Sequence, residues 1–263
     1  MLPIYDQLTF QEIIEKGGRT KPWIIKVNTP RGLKNYVVKL FNEEEVEKNA
    51  ISNEVFGSIL ARQFELNVPE PALFIFNDDF IKTLDDKCWQ IVEERHKGVK
   101  FGCELLEGAL LFDPKMRKNV ANKIVDIDTI FAFDNLINNS DRNNHKPNLL
   151  VHHNEGYLID HELGFSSKQK NFSNLDEWNP SERNKWHIFY NYLKRSRVKT
   201  KKKYFQTFVE YLRVLNITIL DTYAAQLLDN DLQINNYNSI IKFLGQVKSN
   251  PTRFVNLLKN IIK

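Results

Sequence analysis

Asn138-Asn139-Ser140-Asp141-Arg142-Asn143-Asn144-His145-Lys146-Pro147-Asn148-Leu149-Leu150-Val151 leads through His152–Gly156 into Tyr157-Leu158-Ile159-Asp160-His161-Glu162-Leu163-Gly164-Phe165. The first half, to Pro147, is polar and turn-prone. Two apolar runs follow, Leu149–His152 and Gly156–Ile159, separated by Asn154-Glu155-Gly156, which reads as a hairpin. One Asp therefore sits on a polar loop, and a second ends the apolar strand of the hairpin that follows. Transfer of a phosphoryl group asks for this kind of equipment. It needs a carboxylate to orient an attacking hydroxyl and hard oxygen ligands for a charge-neutralising metal ion. Taken singly, Asp141 reads as a turn residue. Asp160 is harder to explain so, because a carboxylate directly after Tyr-Leu-Ile is costly in a dry, unpaired site.

Upstream, Lys39 lies inside the strand-like run Tyr36-Val37-Val38-Lys39-Leu40-Phe41, and Glu54 lies in a helical stretch 15 residues later. A lysine on a rigid strand, held by a helix carboxylate, suits the α- and β-phosphates of a nucleotide. A solvent-facing edge lysine is the plainer alternative. The sequential order of strand Lys, helix Glu, loop Asp, Asn and post-strand Asp carries the argument. Gly17-Gly18-Arg19-Thr20-Lys21-Pro22 supplies a glycine turn whose amides could cradle phosphate, although it matches neither established glycine-rich phosphate motif.

Outward from these residues the chain reads as α+β. Trp23–Val27 and Tyr36–Phe41 form a hairpin around turn-forming Thr29–Lys34. A helix is expected from about Glu44 to Phe64, with Ile51, Val55, Ile59 and Phe64 as its apolar stripe. Pro69 and Pro71 end it, and Ala72–Phe76, Cys88–Val92 and Val99–Leu106 read as strands. Past Gly108 a long helix is expected over Lys115–Ile137. From about Ser181 onward the chain is mostly helical, with breaks near Asp229-Asn230 and Pro251. The boundary falls near Glu107–Asp113, giving segments 1–107 and 108–263.

The 263 residues are 42% hydrophobic and 27% charged, which excludes disorder as the main state. A formal charge of +4 does not by itself imply nucleic-acid binding. Lys194–Lys203 is the densest basic run, but aromatics for base stacking do not interleave it, so a nucleic-acid partner is not expected. Cys88 and Cys103 have neither metal-ligand spacing nor a disulfide framework. With no signal-like start and no membrane-length apolar stretch, a cytoplasmic protein is expected. His152 and His153 should face opposite sides of their strand and so not share an ion.

Across Tyr36–Phe165 the chain resembles the HipA-like kinase family, specifically its compact, single-unit branch. The resemblance is carried by Tyr36-Val37-Val38-Lys39, by Asn53-Glu54-Val55 through Leu66-Asn67-Val68-Pro69-Glu70-Pro71, and by Phe131-Ala132-Phe133-Asp134 through Ile159-Asp160-His161. It implies a bilobal protein-kinase-like fold, with an N-lobe antiparallel sheet and one main helix and a mostly helical C-lobe. It also implies Mg²⁺- and ATP-dependent phosphorylation of Ser or Thr. By the resemblance Asp141 is the catalytic base, Asn148 and Asp160 are Mg²⁺ ligands, Lys39 paired with Glu54 holds phosphate, and Glu104–Glu107, with Leu106, offers hinge backbone to adenine. Relatives include toxins of toxin–antitoxin pairs, which implies a protein substrate and an antitoxin-like partner. Thr20 lies where relatives can carry an autophosphorylated residue.

Two departures stand out. The family commonly places its metal Asn five residues after the catalytic Asp, where this chain has Lys146; Asn148 and Asn144 are the replacements on offer. Asp160-His161-Glu162 stands where Asp-Phe-Gly is usual. The same order of motifs also resembles lipid or small-molecule kinases of phosphatidylinositol-kinase type, and Lys146 allows a nucleotide-binding module without turnover.

Overall fold

The computed structural model describes residues 1–15, 20–165, 174–178 and 182–263. In chain order the strands and helices are β1 (Ile4–Tyr5), β2 (Leu8–Ile13), β3 (Trp23–Thr29), β4 (Gly32–Lys39), α1 (Glu43–Glu47), α2 (Ala50–Gln63), β5 (Pro71–Phe74), α3 (Asp78–Ile81), α4 (Asp86–Glu93) and β6 (Lys100–Glu104). They continue as β7 (Leu110–Leu111), α5 (Lys118–Ala121), α6 (Ile127–Leu136), β8 (Leu149–His152), β9 (Glu155–Leu158), α7 (Tyr190–Lys194), α8 (Val198–Lys201), α9 (Gln206–Val214), α10 (Ile219–Leu228), α11 (Tyr237–Ser249) and α12 (Pro251–Ile261). The chain divides into two compact units. The first comprises Met1–Phe56, Pro69–Glu107 and Leu220–Asn235, and the second Gly57–Val68, Gly108–Ile219 and Asn236–Lys263.

The first unit is built on a six-stranded sheet ordered β1-β5-β6-β4-β3-β2, antiparallel except where β1 runs parallel to β5. Alternation explains its hairpin. Trp23, Ile25 and Val27 are buried on one face of β3, with Tyr36 and Val38 of β4 beside them. Each fully buried aliphatic or aromatic side chain of this kind stabilises by about 1.5–3 kcal/mol. Phe74, Phe76 and Phe80 join the cluster.

Two expectations about local structure are corrected here. Cys88–Val92 is not a strand but part of α4. The Asp85 carboxylate accepts the Cys88 N–H at 2.7 Å, an N-cap that starts the helix, and Cys88 and Val92 then face the core at i, i+4. The expected Glu44–Phe64 helix is two, α1 and α2, because Asn49 takes a left-handed φ of 65°. Before α1 the sequence also conceals β1 and β2.

In the second unit a three-stranded sheet, β7-β8-β9, accompanies the helices. The expected Lys115–Ile137 helix is broken into α5 and α6, because Asp126 caps the N-terminus of α6 through the Thr129 N–H (3.2 Å) and hydroxyl (2.7 Å). The β8–β9 turn is His153-Asn154, with φ of 51° and 64°, the double left-handed geometry that a tight hairpin needs. His153 therefore leaves the strand, and its ring stacks on His152 at 4.0 Å instead of facing away. A Cβ on Gly156 would lie 2.1 Å from Val125, so only glycine lets β9 pass that turn. Phe64, stacked 4.9 Å from Phe208 and tilted 5.7 Å from Phe133, ties the end of α2 to α9 and α6. The helical tail runs as expected: Asp231 (φ 61°) follows α10, and Pro251 opens α12. Among the described residues no helix is long and apolar enough to cross a membrane.

Candidate active site

In the first unit Lys39 sits on β4, an interior strand of the sheet, opposite Phe101 of β6. Its ammonium is ion-paired with the Glu54 carboxylate of α2, whose side chain is only 2% exposed. The edge-strand alternative is thereby removed. Burying such a pair costs several kcal/mol of desolvation per ion, so it is a poor device for stability alone. Glu104, on β6, has its carboxylate held by Lys34 at 2.7 Å. Its N–H donates to the Glu70 carbonyl and the Leu105 N–H to the Asn35 carbonyl, both at 2.8 Å. Leu106 follows, half-buried. Gly17 and Gly18 lie outside the described residues, and Thr20 is buried.

In the second unit the polar loop is organised by a group that sequence reasoning did not single out. Asp134 on α6, Arg142 and His187 are all buried. Arg142 Nε donates to Asp134 Oδ2 at 2.7 Å and Nη2 to Oδ1 at 3.4 Å. His187 Nδ1 accepts the Phe189 N–H at 3.1 Å, so the ring proton sits on Nε2 and is donated to Asp134 Oδ2 at 2.9 Å. Burial drives the Asp134 carboxyl upward, but the Arg142 charge and the His187 hydrogen bond outweigh it and hold it below the usual carboxylate range. Burial lowers His187, against the pull of Asp134, so the imidazole is neutral at pH 7.

The far edge of the guanidinium reaches the hairpin. Arg142 Nη1 donates to the Asn148 carbonyl and lies 3.5 Å from that of Ile159, the residue before Asp160. The Ile159 N–H also donates to the Asn148 carbonyl, at 3.1 Å. One buried cation thus fixes the backbone at both ends of the β8–β9 hairpin. Asn148 (φ 46°) and Asp160 (φ 64°) are both left-handed, a conformation Asn and Asp tolerate better than most residues and one concentrated at functional sites.

Asn148 Nδ2 donates to Asp141 Oδ2 at 3.3 Å, which leaves the Asn148 amide oxygen as an acceptor. Asp141 is anchored through its N–H to Asn139 Oδ1 at 3.1 Å, while its carboxylate is partly exposed. Lys146 Nζ is 3.6 Å from Asp141 Oδ2. Asn144 is solvent-exposed, on the wall of a cavity bounded by α7 and the Asp113–Lys118 segment. Carboxylate oxygens of Asp160 and Glu162 lie within 4.8 Å of each other. With the Asn148 amide oxygen these are hard oxygen donors, the set that suits Mg²⁺. Glu162 is a site residue that the sequence marks only by its departure from Asp-Phe-Gly and its two-residue spacing from Asp160. Gly57 on α2 lies against His161, where a Cβ would sit 2.5 Å from the His161 Cβ.

A search of curated proteins matched none. The crystal structure of the Helicobacter pylori proinflammatory kinase CtkA matches with a TM-score of 0.55 at 12% identity, covering 100% of this chain and 99% of that one, a likeness of fold. The model of the HipA-like kinase family matches residues 10–243, nearly the whole chain. The chain belongs to the HipA-like kinase family.

Proposed function

We propose that this chain is an ATP- and Mg²⁺-dependent Ser/Thr protein kinase, with residues 1–107 as the nucleotide lobe and 108–263 as the catalytic lobe. The observation that carries the reading is the buried Arg142, which holds the backbone of Asn148 and of Ile159 next to Asp160 while Asn148 contacts Asp141. A purely structural loop has no need to pre-set three oxygen-bearing side chains through one desolvated cation.

In this mechanism Lys39, oriented by Glu54, takes the α- and β-phosphates. The N–H groups of Glu104 and Leu105 are already engaged, so Leu106 is the first hinge residue whose N–H serves adenine. Asn148 and Asp160, with Glu162 beside Asp160, would hold Mg²⁺, which when bound would neutralise charge on the phosphates. Asp141 accepts the hydrogen bond of the acceptor hydroxyl and takes its proton as that oxygen bonds to the γ-phosphorus of ATP, while the bond from that phosphorus to the β,γ-bridging oxygen breaks and ADP leaves. Lys146, in place of the family's metal Asn, adds a cation beside Asp141. An antitoxin-like protein partner belongs to the same proposal, by family analogy.

The assay is a Mg²⁺ titration of binding to a fluorescent ATP analogue. Asp160→Ala should raise the Mg²⁺ requirement about tenfold or more, the scale on which metal sites respond to lost support. An unchanged titration removes Asp160 from the metal site. A second reading, nucleotide binding without turnover, is favoured by the Lys146 ammonium lying 3.6 Å from Asp141; it requires ATP binding with no ADP release.

A further inference from the structure

Beside the Asp141 loop the second unit contains a cavity of about 950 Å³. Its wall is continuous with that loop in two places. Asn144 lines it three residues after Asp141, and Ile188 lines it while donating its N–H to the Arg142 carbonyl at 3.2 Å. Among the described residues the remaining lining is strongly basic, with Lys115, Lys118, Arg195 and Arg197 against one acid, Asp113.

These cations are not equivalent. Lys118 spends its three donors on the Tyr192 carbonyl (3.1 Å), Ser196 Oγ (2.6 Å) and the Tyr204 hydroxyl, and lies 4.9 Å over the Tyr204 ring. It braces the wall and adds only its field. Lys115, Arg195 and Arg197 are exposed, and none has an acidic partner among the described residues. Surface cations usually intersperse with acids; here two guanidiniums and an ammonium are left facing one concavity.

Among the described residues the wall offers one aromatic side chain, Tyr192, whose hydroxyl proton is shared between the Pro114 carbonyl (3.0 Å) and that of Met116 and whose ring makes an edge contact with Phe189 at 6.0 Å. That disfavours nucleic-acid bases, which stack on successive aromatic faces. Arginine forks match carboxylates bidentately, and the volume suits a few side chains, not a helix or a duplex.

We infer that this cavity docks an acidic segment of the acceptor protein, so that Asp or Glu residues flanking the target hydroxyl are held by Lys115, Arg195 and Arg197 beside Asp141. The claim rests on the kinase reading for the word acceptor, and on the cavity alone for the chemistry of what binds.

The test is fluorescence anisotropy on the full chain. The probes are a labelled Asp/Glu-rich peptide with one Ser, its Asn/Gln counterpart, its Lys counterpart and an oligouridylate of equal charge. Wild type should bind the acidic peptide alone among the peptides, more weakly as salt rises. The variant R195E/R197E, altered only at exposed positions and checked for an unchanged urea midpoint, should lose about tenfold or more in affinity. K115E provides an independent second variant with a smaller loss. Equal binding of the acidic peptide by wild type and R195E/R197E, or no binding by wild type, overturns the inference. So does tighter oligouridylate binding that is lost in the same variant. Wild type that binds the peptide yet never consumes ATP refutes the kinase reading and leaves the docking chemistry standing, so the two failures are distinct.

Discussion

Replacing Asp134 by Asn changes almost no volume, yet it should be among the most damaging substitutions in the chain. Asp134 Oδ2 accepts from Arg142 Nε at 2.7 Å and His187 Nε2 at 2.9 Å, and Oδ1 from Arg142 Nη2 at 3.4 Å and Asn139 Nδ2 at 3.3 Å. All four bonds point toward the carboxylate. An amide in either orientation turns two of them into donor–donor contacts; the better orientation keeps the oxygen at the Oδ2 position and sacrifices the two longer bonds. The larger loss is the charge, since Arg142 is fully buried and would remain ionised without its counter-ion. Stranding one member of a buried pair costs about 3–5 kcal/mol. At an m-value of about 3 kcal/mol per M, the urea midpoint should fall by roughly 1 M or more. Asp134→Asn combined with Arg142→Met should recover part of this, because removing both charges leaves none uncompensated. The pH dependence follows from the depressed carboxyl. Its contribution is complete above the unfolded value of about 4 and is lost as pH falls through the lower folded value, so the difference between wild type and variant should shrink only on acidification below about 4. A single variant within 1 kcal/mol of wild type, or a double variant no better than the sum of the singles, refutes the reasoning.

Two further perturbations probe neighbouring parts. Gly57→Ala must displace the His161 ring base, whose Cβ would be 2.5 Å from the new methyl; we expect a net loss of about 1–2 kcal/mol in urea unfolding even after the gain in helix propensity, and a neutral or stabilising outcome would show that His161 moves freely. Burial raises the Asp128 carboxyl to about 6, against the Phe205 N–H at 2.5 Å, which opposes the rise. The folded state therefore holds a proton that the unfolded chain releases, so the contribution of Asp128 to stability is greatest below pH 4, falls by about 2–3 kcal/mol as pH rises from about 4 to 6, and then levels. Asp128→Asn should flatten that slope in unfolding curves taken across the window.

Much of the fold was legible where one physical signal dominated. Trp23, Ile25 and Val27 alternate into the core, so the first hairpin could be read directly. The β8–β9 hairpin was equally visible, although its turn lies one residue earlier than the Asn154-Glu155-Gly156 segment suggested, and that shift is what stacks His153 on His152. Cys88–Val92 misled because strand-prone Trp89, Ile91 and Val92 outweighed the Asp85 cap just before them. Lys115–Ile137 misled in the same way, since Asp126 interrupts a continuous apolar stripe that carries no record of the cap. Lys39 and Asp160 stood out because a charge inside or beside an apolar run is costly without a reason, whereas Glu54, Asp141 and Asn148 were visible through their order along the chain and the family resemblance. The Asp134–Arg142–His187 group left no such trace. Its members are separated by many residues, each is ordinary alone, and only tertiary packing makes them one buried network. The basic cavity was half visible, since Arg195 and Arg197 belong to the basic run Lys194–Lys203, but only the fold brings Lys115 beside them.

Release of ADP from ATP and Mg²⁺, followed in parallel with nucleotide binding for wild type and Asp141→Ala, tests the assignment of phosphoryl transfer most directly. The account requires measurable turnover by wild type and a rate about 10²- to 10⁴-fold lower in the variant, with ATP affinity preserved. Wild type that binds ATP without ever releasing ADP, or a variant that turns over as fast as wild type, contradicts it.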